Sequence, residues 1–244
     1  PGGNILFVAN LLISVVGVYE LYKVLGIEKN SLGITGYIAV LAYYAVLYFD
    51  KKEYMMILMV VFLMCLLAQY VFMFPKYKTE QISNAIMSML YAGVMLSYLY
   101  SVREGNNGAY TVWLIFLCSW GSDTCAYLAG VAFGKHKMAP VLSPKKSVEG
   151  AVGGVIGAAA LGAIYATIFS SNITMSINPV VGFAIICAVG ALISMVGDLA
   201  ASAIKRNHDI KDYGKLIPGH GGIMDRFDSV IYVAPVIWIL LQIF

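Results

Sequence analysis

The sequence predicts an all-α, polytopic integral membrane protein with about eight transmembrane helices. Three observations carry that prediction. First, 60% of the 244 residues are hydrophobic and only 12% are charged, whereas soluble domains carry about a quarter charged residues. Second, the apolar residues gather into eight runs, each near the roughly 20 residues that a helix needs to cross the hydrocarbon core. Third, the basic residues are segregated between alternate loops. Period-2 alternation of the barrel kind is absent, and lipid cannot satisfy open backbone groups, so the runs are read as helices.

In chain order the runs are 4–22, 32–49, 54–74, 82–100, 109–132, 150–169, 177–203 and 229–244. The first four are almost plain apolar, with Tyr, Phe and charges near their ends. The last four contain acids, glycines and the long charged loops. This shift divides the chain into a supporting half, 1–105, and a working half, 106–244. Eight spans place the loops after runs one, three, five and seven on one side, and those loops hold thirteen of the 16 Lys and Arg residues. Lys51, Lys52 and Arg103 are left for the other side. The positive-inside rule puts the richer set in the cytosol. The four cysteines, Cys65, Cys118, Cys125 and Cys187, sit inside apolar runs without ligand spacing and read as small packing residues.

The polar clusters fall on or beside the basic side. The densest begins at Ser202-Ala-Ile-Lys205-Arg206, continues through Lys211-Asp212, and ends Ile217-Pro218-Gly219-His220-Gly221-Gly222-Ile223-Met224-Asp225-Arg226-Phe227-Asp228. Asp225 and Asp228 are three apart at a helix entry, so their carboxylates can share a face. Two hard oxygen ligands so placed suit Mg²⁺ carrying substrate phosphates. Gly219, Gly221 and Gly222 let backbone approach a ligand, and the helix start beyond them offers N–H groups to an anion.

Run seven contributes Ser194, Asp198, Ser202 and Lys205 as one polar stripe on an apolar helix. Asp198 lies about 10 Å of helix from the Lys205 end. An acid there costs about 2.5–3.5 kcal/mol to insert, so it should face a cavity or a partner. Run five repeats the theme: Ser119, Asp123 and Tyr127 are spaced by four, with Asp123 about 15 Å deep. Ser122, Ala126 and Gly130 make a separate stripe of small residues that reads as helix packing. Asp123 is open between a ligand role and an anchoring role. In the loop 133–149, Lys145 and Lys146 are the better phosphate candidates because they abut Ser147 and Glu149 at the next helix start. Gly150, Gly153, Gly154, Gly157 and Gly162 lack a Walker-type Gly-Lys-Ser/Thr and read as close helix packing.

The array from Ser202 to Asp228 resembles the signature of the phosphatidate cytidylyltransferases, in the form Ser-x-x-Lys-Arg, Lys-Asp, and Pro-x-His-Gly-Gly-x-x-Asp-Arg-x-Asp. The likeness extends to Trp120 through Tyr127, to Ser143-Pro144-Lys145-Lys146-Ser147 with Glu149-Gly150, and to Tyr19-Glu20-Leu21-Tyr22. The resemblance implies transfer of a cytidylyl group from CTP to phosphatidate with release of pyrophosphate, requiring Mg²⁺. It implies metal-binding acids at Asp198 and Asp225; Asp228 is expected as a further metal ligand from its spacing to Asp225. It further implies a homodimer among membrane lipids with no nucleic-acid partner, a polar cavity open to the cytosol and bilayer, and one more helix before a stretch like Gly2-Gly3.

Within that reaction, Lys205, Arg206 and Arg226 are expected to neutralise phosphate charge, alongside the catalytic Asp198 and Asp225. Ser202, Lys145, Lys146, Lys211, His220, Gly221, Gly222 and Asp123 are expected to contact substrate. Two other readings remain open at this level. One is a related cytidylyltransferase acting on an ether-lipid phosphate, and the other is an ion-coupled transporter.

Overall fold

A computed structural model describes residues 2–219 and 221–244. It contains eight helices long and apolar enough to cross a membrane: α1 Asn4–Val24, α2 Ser31–Tyr48, α3 Lys52–Phe72, α4 Thr79–Glu104, α5 Gly108–Phe133, α6 Val148–Asn172, α7 Pro179–Asn207 and α8 Met224–Ile243. The protein is therefore a multi-pass helical membrane protein. All eight apolar runs correspond to helices, but several helices continue past the apolar residues into polar sequence. The ladder of backbone bonds extends a helix wherever its N–H and C=O groups find partners, whether or not the side chains are apolar. Thus α8 starts at Met224 and already contains Asp225 and Asp228, and α7 carries Lys205 and Arg206 in its last turn.

Local signals set several helix starts. The Asn30 side chain accepts the Gly33 N–H at 3.0 Å to cap α2. Ser147 accepts the Gly150 N–H at 3.1 Å to cap α6. Asn178 accepts the Val180 N–H at 2.9 Å ahead of Pro179, the first residue of α7. Each side chain satisfies a donor that the helix itself leaves over. Two helices contain π-helical turns, Met89–Met95 in α4 and Leu117–Gly121 in α5. The loop between α5 and α6 contains a short antiparallel hairpin of β1 Lys137–Ala139 and β2 Ser143–Ser147.

Contacts divide the chain into two compact units: Gly3–Ser97 with Asp212–Arg226, and Tyr98–Lys211 with Phe227–Phe244. The first unit packs Leu21, Tyr22, Leu32, Tyr44, Leu66 and Met89 in its interior. Polar pins cross that interior. Asn10 donates to the Tyr44 hydroxyl and the Leu96 carbonyl, both at 3.2 Å, and Ser14 bonds the same hydroxyl at 2.6 Å. The Tyr22 hydroxyl donates to the Ala85 carbonyl at 3.1 Å. Such bonds give direction to helix contacts that dispersion alone leaves loosely specified. Helix α3 leaves Met56, Met64 and Phe72 exposed, the pattern of a lipid-facing surface.

The second unit is held by close helix approach. Gly153 of α6 lies against Ala129 of α5, Gly154 against Ala126, and Gly157 against Cys125, while Gly162 meets Cys187 of α7. The small-residue stripes in α5 and α6 therefore face each other, and these cysteines serve as small packing groups.

Candidate active site

In the first unit, the segment 212–226 is a loop folded around two carboxylates. Asp225 Oδ2 accepts the Tyr213 N–H at 2.8 Å and the Gly222 N–H at 3.0 Å, closing the loop on itself. The Ile217 N–H donates to the Gly221 carbonyl at 2.9 Å, across a turn in which Gly219 and Gly221 adopt φ of 75° and 83°. The second carboxylate is Glu20 of α1, only 4% exposed. Its Oε1 accepts the Ile223 N–H at 3.1 Å and its Oε2 the Met224 N–H at 2.9 Å. Three consecutive amides at the start of α8 are thus bonded to carboxylates of the protein itself. The sequence reading offers this helix start to a ligand anion, and the structure corrects it: for Ile223 and Met224 the anion is Glu20. Glycine is needed at Gly214 and Gly222 because of this carboxylate. A Cβ on them would stand 2.8 and 2.5 Å from Glu20 Cδ.

In the second unit, a cavity of about 580 Å³ opens among α5, the hairpin, α6 and α7. Its polar lining is Asp123, Asp198, Lys137, Lys145, Lys146 and the serines Ser143 and Ser147; Ala126, Tyr127, Val131, Met138 and Met195 supply apolar wall. Lys146 Nζ forms an ion pair with Asp198 Oδ2, each side chain about a quarter exposed. Asp228 feels the charge of Asp198 most strongly among its charged neighbours, then those of Lys205 and Asp123. Asp123 in turn feels Lys146 and Asp198. Three carboxylates and two lysines therefore share one electrostatic neighbourhood, in surroundings that screen charge poorly. Among the described residues, no three metal-ligating side chains converge as a ready-made cage.

The hairpin bearing these lysines is clamped to α6. Glu149 Oε2 accepts the N–H groups of Lys135 and His136 at 3.0 and 3.2 Å, and its Oε1 lies 2.6 Å from His136 Nδ1. The π turn Leu117–Gly121 also matters here. Ser119 is fully buried and donates to the Ile115 carbonyl at 2.7 Å, whereas Asp123 and Tyr127 line the cavity. Of the spacing-by-four stripe read from sequence, Asp123 and Tyr127 reach the cavity, and Ser119 is buried within the π turn.

Of the residues singled out from sequence, Asp123, Asp198, Asp228, Lys145, Lys146, Ser202, Lys205, Arg206 and Lys211 belong to the second unit. Gly221, Gly222, Asp225 and Arg226 belong to the first. His220 lies outside the described residues. Lys145, Arg206, Lys211 and Arg226 are exposed, while Ser202 and Lys205 are half-buried. Sequence reasoning missed the Lys146–Asp198 pair and gave Glu20 no role. An acid near the end of an apolar run was the available signal for Glu20, since charge so placed needs a partner.

Fold and site define a multi-pass membrane protein with carboxylates and lysines set into a cavity among its helices. The chain belongs to the cytidylyltransferase family, whose family model matches residues 2–244. It is similar to a protein named phosphatidate cytidylyltransferase of Bacillus subtilis, 31% identical in an alignment that covers 96% of this chain and 88% of the relative. Proteins of the same name from Staphylococcus saprophyticus and Staphylococcus aureus are 40% identical over 156 residues and 37% over 158. Those two alignments cover 64% of this chain and 57% of each staphylococcal protein, so the chain matches less than two thirds of these relatives' length.

Proposed function

We propose that this chain transfers a cytidylyl group from CTP to phosphatidate, forming CDP-diacylglycerol and pyrophosphate at the cytosolic face of a bacterial cell membrane. The observation that carries the reading is the family match over residues 2–244, together with the name shared by the relatives. The cavity of the second unit supports it, because it pairs lysines with an apolar wall inside a membrane protein.

The phosphate monoester of phosphatidate, with a second pKa of about 6, is already a nucleophile at neutral pH. One of its oxygens attacks the α-phosphorus of CTP, the bond to the bridging oxygen breaks, and pyrophosphate leaves with the electron pair. No side chain has to remove a proton. The protein's task is to bring two polyanions together and to offset the charge of the leaving group. Lys145 and Lys146 are assigned to phosphate oxygens in the cavity, and Lys205, Arg206 and Arg226 to the lipid phosphate or the departing pyrophosphate. Ser202 and Lys211 are assigned to orienting contacts.

The donor set fits Mg²⁺, which takes one or two carboxylates and fills its remaining positions with phosphate and water. Asp198 and Asp228 would hold it, and Asp225 is assigned its catalytic role on the family likeness. When bound, the ion offsets phosphate charge and polarises the α-phosphorus. A homodimer is proposed with this reading, on the strength of the family likeness.

The test gives purified protein phosphatidate, Mg²⁺ and labelled CTP, UTP or dATP in turn. Label from CTP alone should enter the organic phase; equal incorporation from all three would overturn the assignment. Asp225→Asn keeps an oxygen that can accept from Tyr213 and Gly222, so it should fold. Its CTP-dependent rate should nevertheless fall by about 100- to 1,000-fold.

A further inference from the structure

We infer that Glu20 is a positioning residue: from the first transmembrane helix it holds the 212–226 loop and the first turn of α8 in the shape that presents Asp225. The inference rests on the proposed reaction for its catalytic consequence, and on geometry alone for its structural one.

Glu20 spends both carboxylate oxygens on the loop, on Ile223 N–H at 3.1 Å and Met224 N–H at 2.9 Å. An ordinary helix cap comes from a Ser, Thr, Asp or Asn adjoining the helix, and it fixes only the local turn. This one comes from 203 positions upstream, so it also fixes where the loop lies on α1. The carboxylate is 4% exposed, and burying it is unfavourable unless the bonds it makes are kept. The loop is shaped to receive it. Gly214 and Gly222 pass so close to the carboxylate that a methyl group on either would collide with it.

Asp225 is tied into the same arrangement. Its Oδ2 accepts the Gly222 N–H immediately before the two amides that Glu20 takes, and the Tyr213 N–H across the loop. The two carboxylates also repel, since the charge of Asp225 acts on Glu20. Each is held by amides of one continuous backbone stretch. If Glu20 lets go, Ile223 and Met224 lose their acceptor and the turn that aims Asp225 loses its tether to α1. Glu20 touches neither substrate nor reacting atoms in this account; it acts through Asp225.

The experiment compares full-length wild type with Glu20→Ala, Glu20→Gln and a control, Glu53→Gln, at an exposed position of the same unit. Hydrogen exchange is followed in peptides covering 212–226 and 148–207, alongside steady-state kinetics with CTP. In Glu20→Ala, exchange across 212–226 should quicken by about tenfold or more, with 148–207 unchanged. Its kcat should drop about 100-fold, while KM for CTP stays within about threefold. Glu20→Gln, which keeps one acceptor oxygen and the side-chain shape, should fall between, and it decides the matter if the alanine variant does not fold. Unaltered exchange in 212–226 overturns the inference. So does a loss confined to KM, or a folded variant with wild-type kcat. Wild-type protein that moves no label from CTP into lipid rejects the proposed reaction instead, and exchange alone then judges the tether.

Discussion

At the scale of single residues, adjacent positions have different tasks. Lys145 is exposed, whereas Lys146 is partly buried and paired with Asp198. Removing the Lys146 charge leaves Asp198 facing Asp123 and Asp228 without its closest cation. Lys146→Met should therefore destabilise the protein by about 1–3 kcal/mol and lower CTP-dependent activity about 100-fold. Lys145→Met should leave the unfolding temperature unchanged; thermal unfolding in detergent with a lipid-label assay separates the two. Gly222→Ala brings a methyl within 2.5 Å of Glu20 Cδ, so overpacking of about 1–3 kcal/mol is expected. Gly105→Ala, whose added carbon meets the Val102 and Ser101 carbonyls at ordinary contact distances of 3.4 and 3.5 Å, should be silent in the same melt. The sequence marked Asp198 as an acid needing a partner or a cavity, and the structure supplies both. It could not name Lys146, because the partner arrives from a hairpin whose path depends on tertiary contacts.

At the scale of elements, the second unit depends on how closely α5 and α6 approach. Glycine and alanine meet glycine and alanine there, and the cavity sits at the end of that contact. Gly153→Leu should push the helices apart and cost about 1–3 kcal/mol or more, read as earlier unfolding in detergent. Activity should fall with it, because Asp123 and Tyr127 stand on the displaced helix. The hairpin is governed separately by Glu149. Glu149→Ala should speed exchange of the Lys135 and His136 amides by about tenfold while sparing α7. Helix positions were legible from run length and loop chemistry, since any apolar stretch in lipid must close its own hydrogen bonds. Helix ends were less so: α8 gains a first turn containing Asp225 and Arg226, at a start where Glu20 accepts the Ile223 and Met224 amides. The π turn in α5 left no plain mark either.

At the scale of the whole molecule, charge asymmetry makes a prediction of its own. The loops after α1, α3, α5 and α7 should share the cytosolic side. A cysteine at Asn106→Cys should react with an impermeant maleimide on intact cells, and one at His208→Cys only after permeabilisation. The reverse pattern would contradict the proposed orientation. The two compact units do not follow chain order, since Asp212–Arg226 folds with the first helices rather than with its sequence neighbours. No composition shift announces that return, because the loop is held by backbone amides, which every residue but proline has.

The sequence by itself determined that the described residues form eight helices long and apolar enough to cross a membrane, and which residues carry charge beside them. It also determined the family, through the spacing from Ser202 to Asp228. These features are local: run length, residue type and interval express them without reference to distant parts of the chain. Only the tertiary structure decided that Glu20 takes the amides at the start of α8, that Lys146 pairs with Asp198, and that Asp123 faces a cavity while Ser119 does not. Those outcomes depend on where separate helices bring their side chains, and a hydrogen bond or ion pair reaches only about 3–4 Å. Spacing along one helix cannot specify a contact across two.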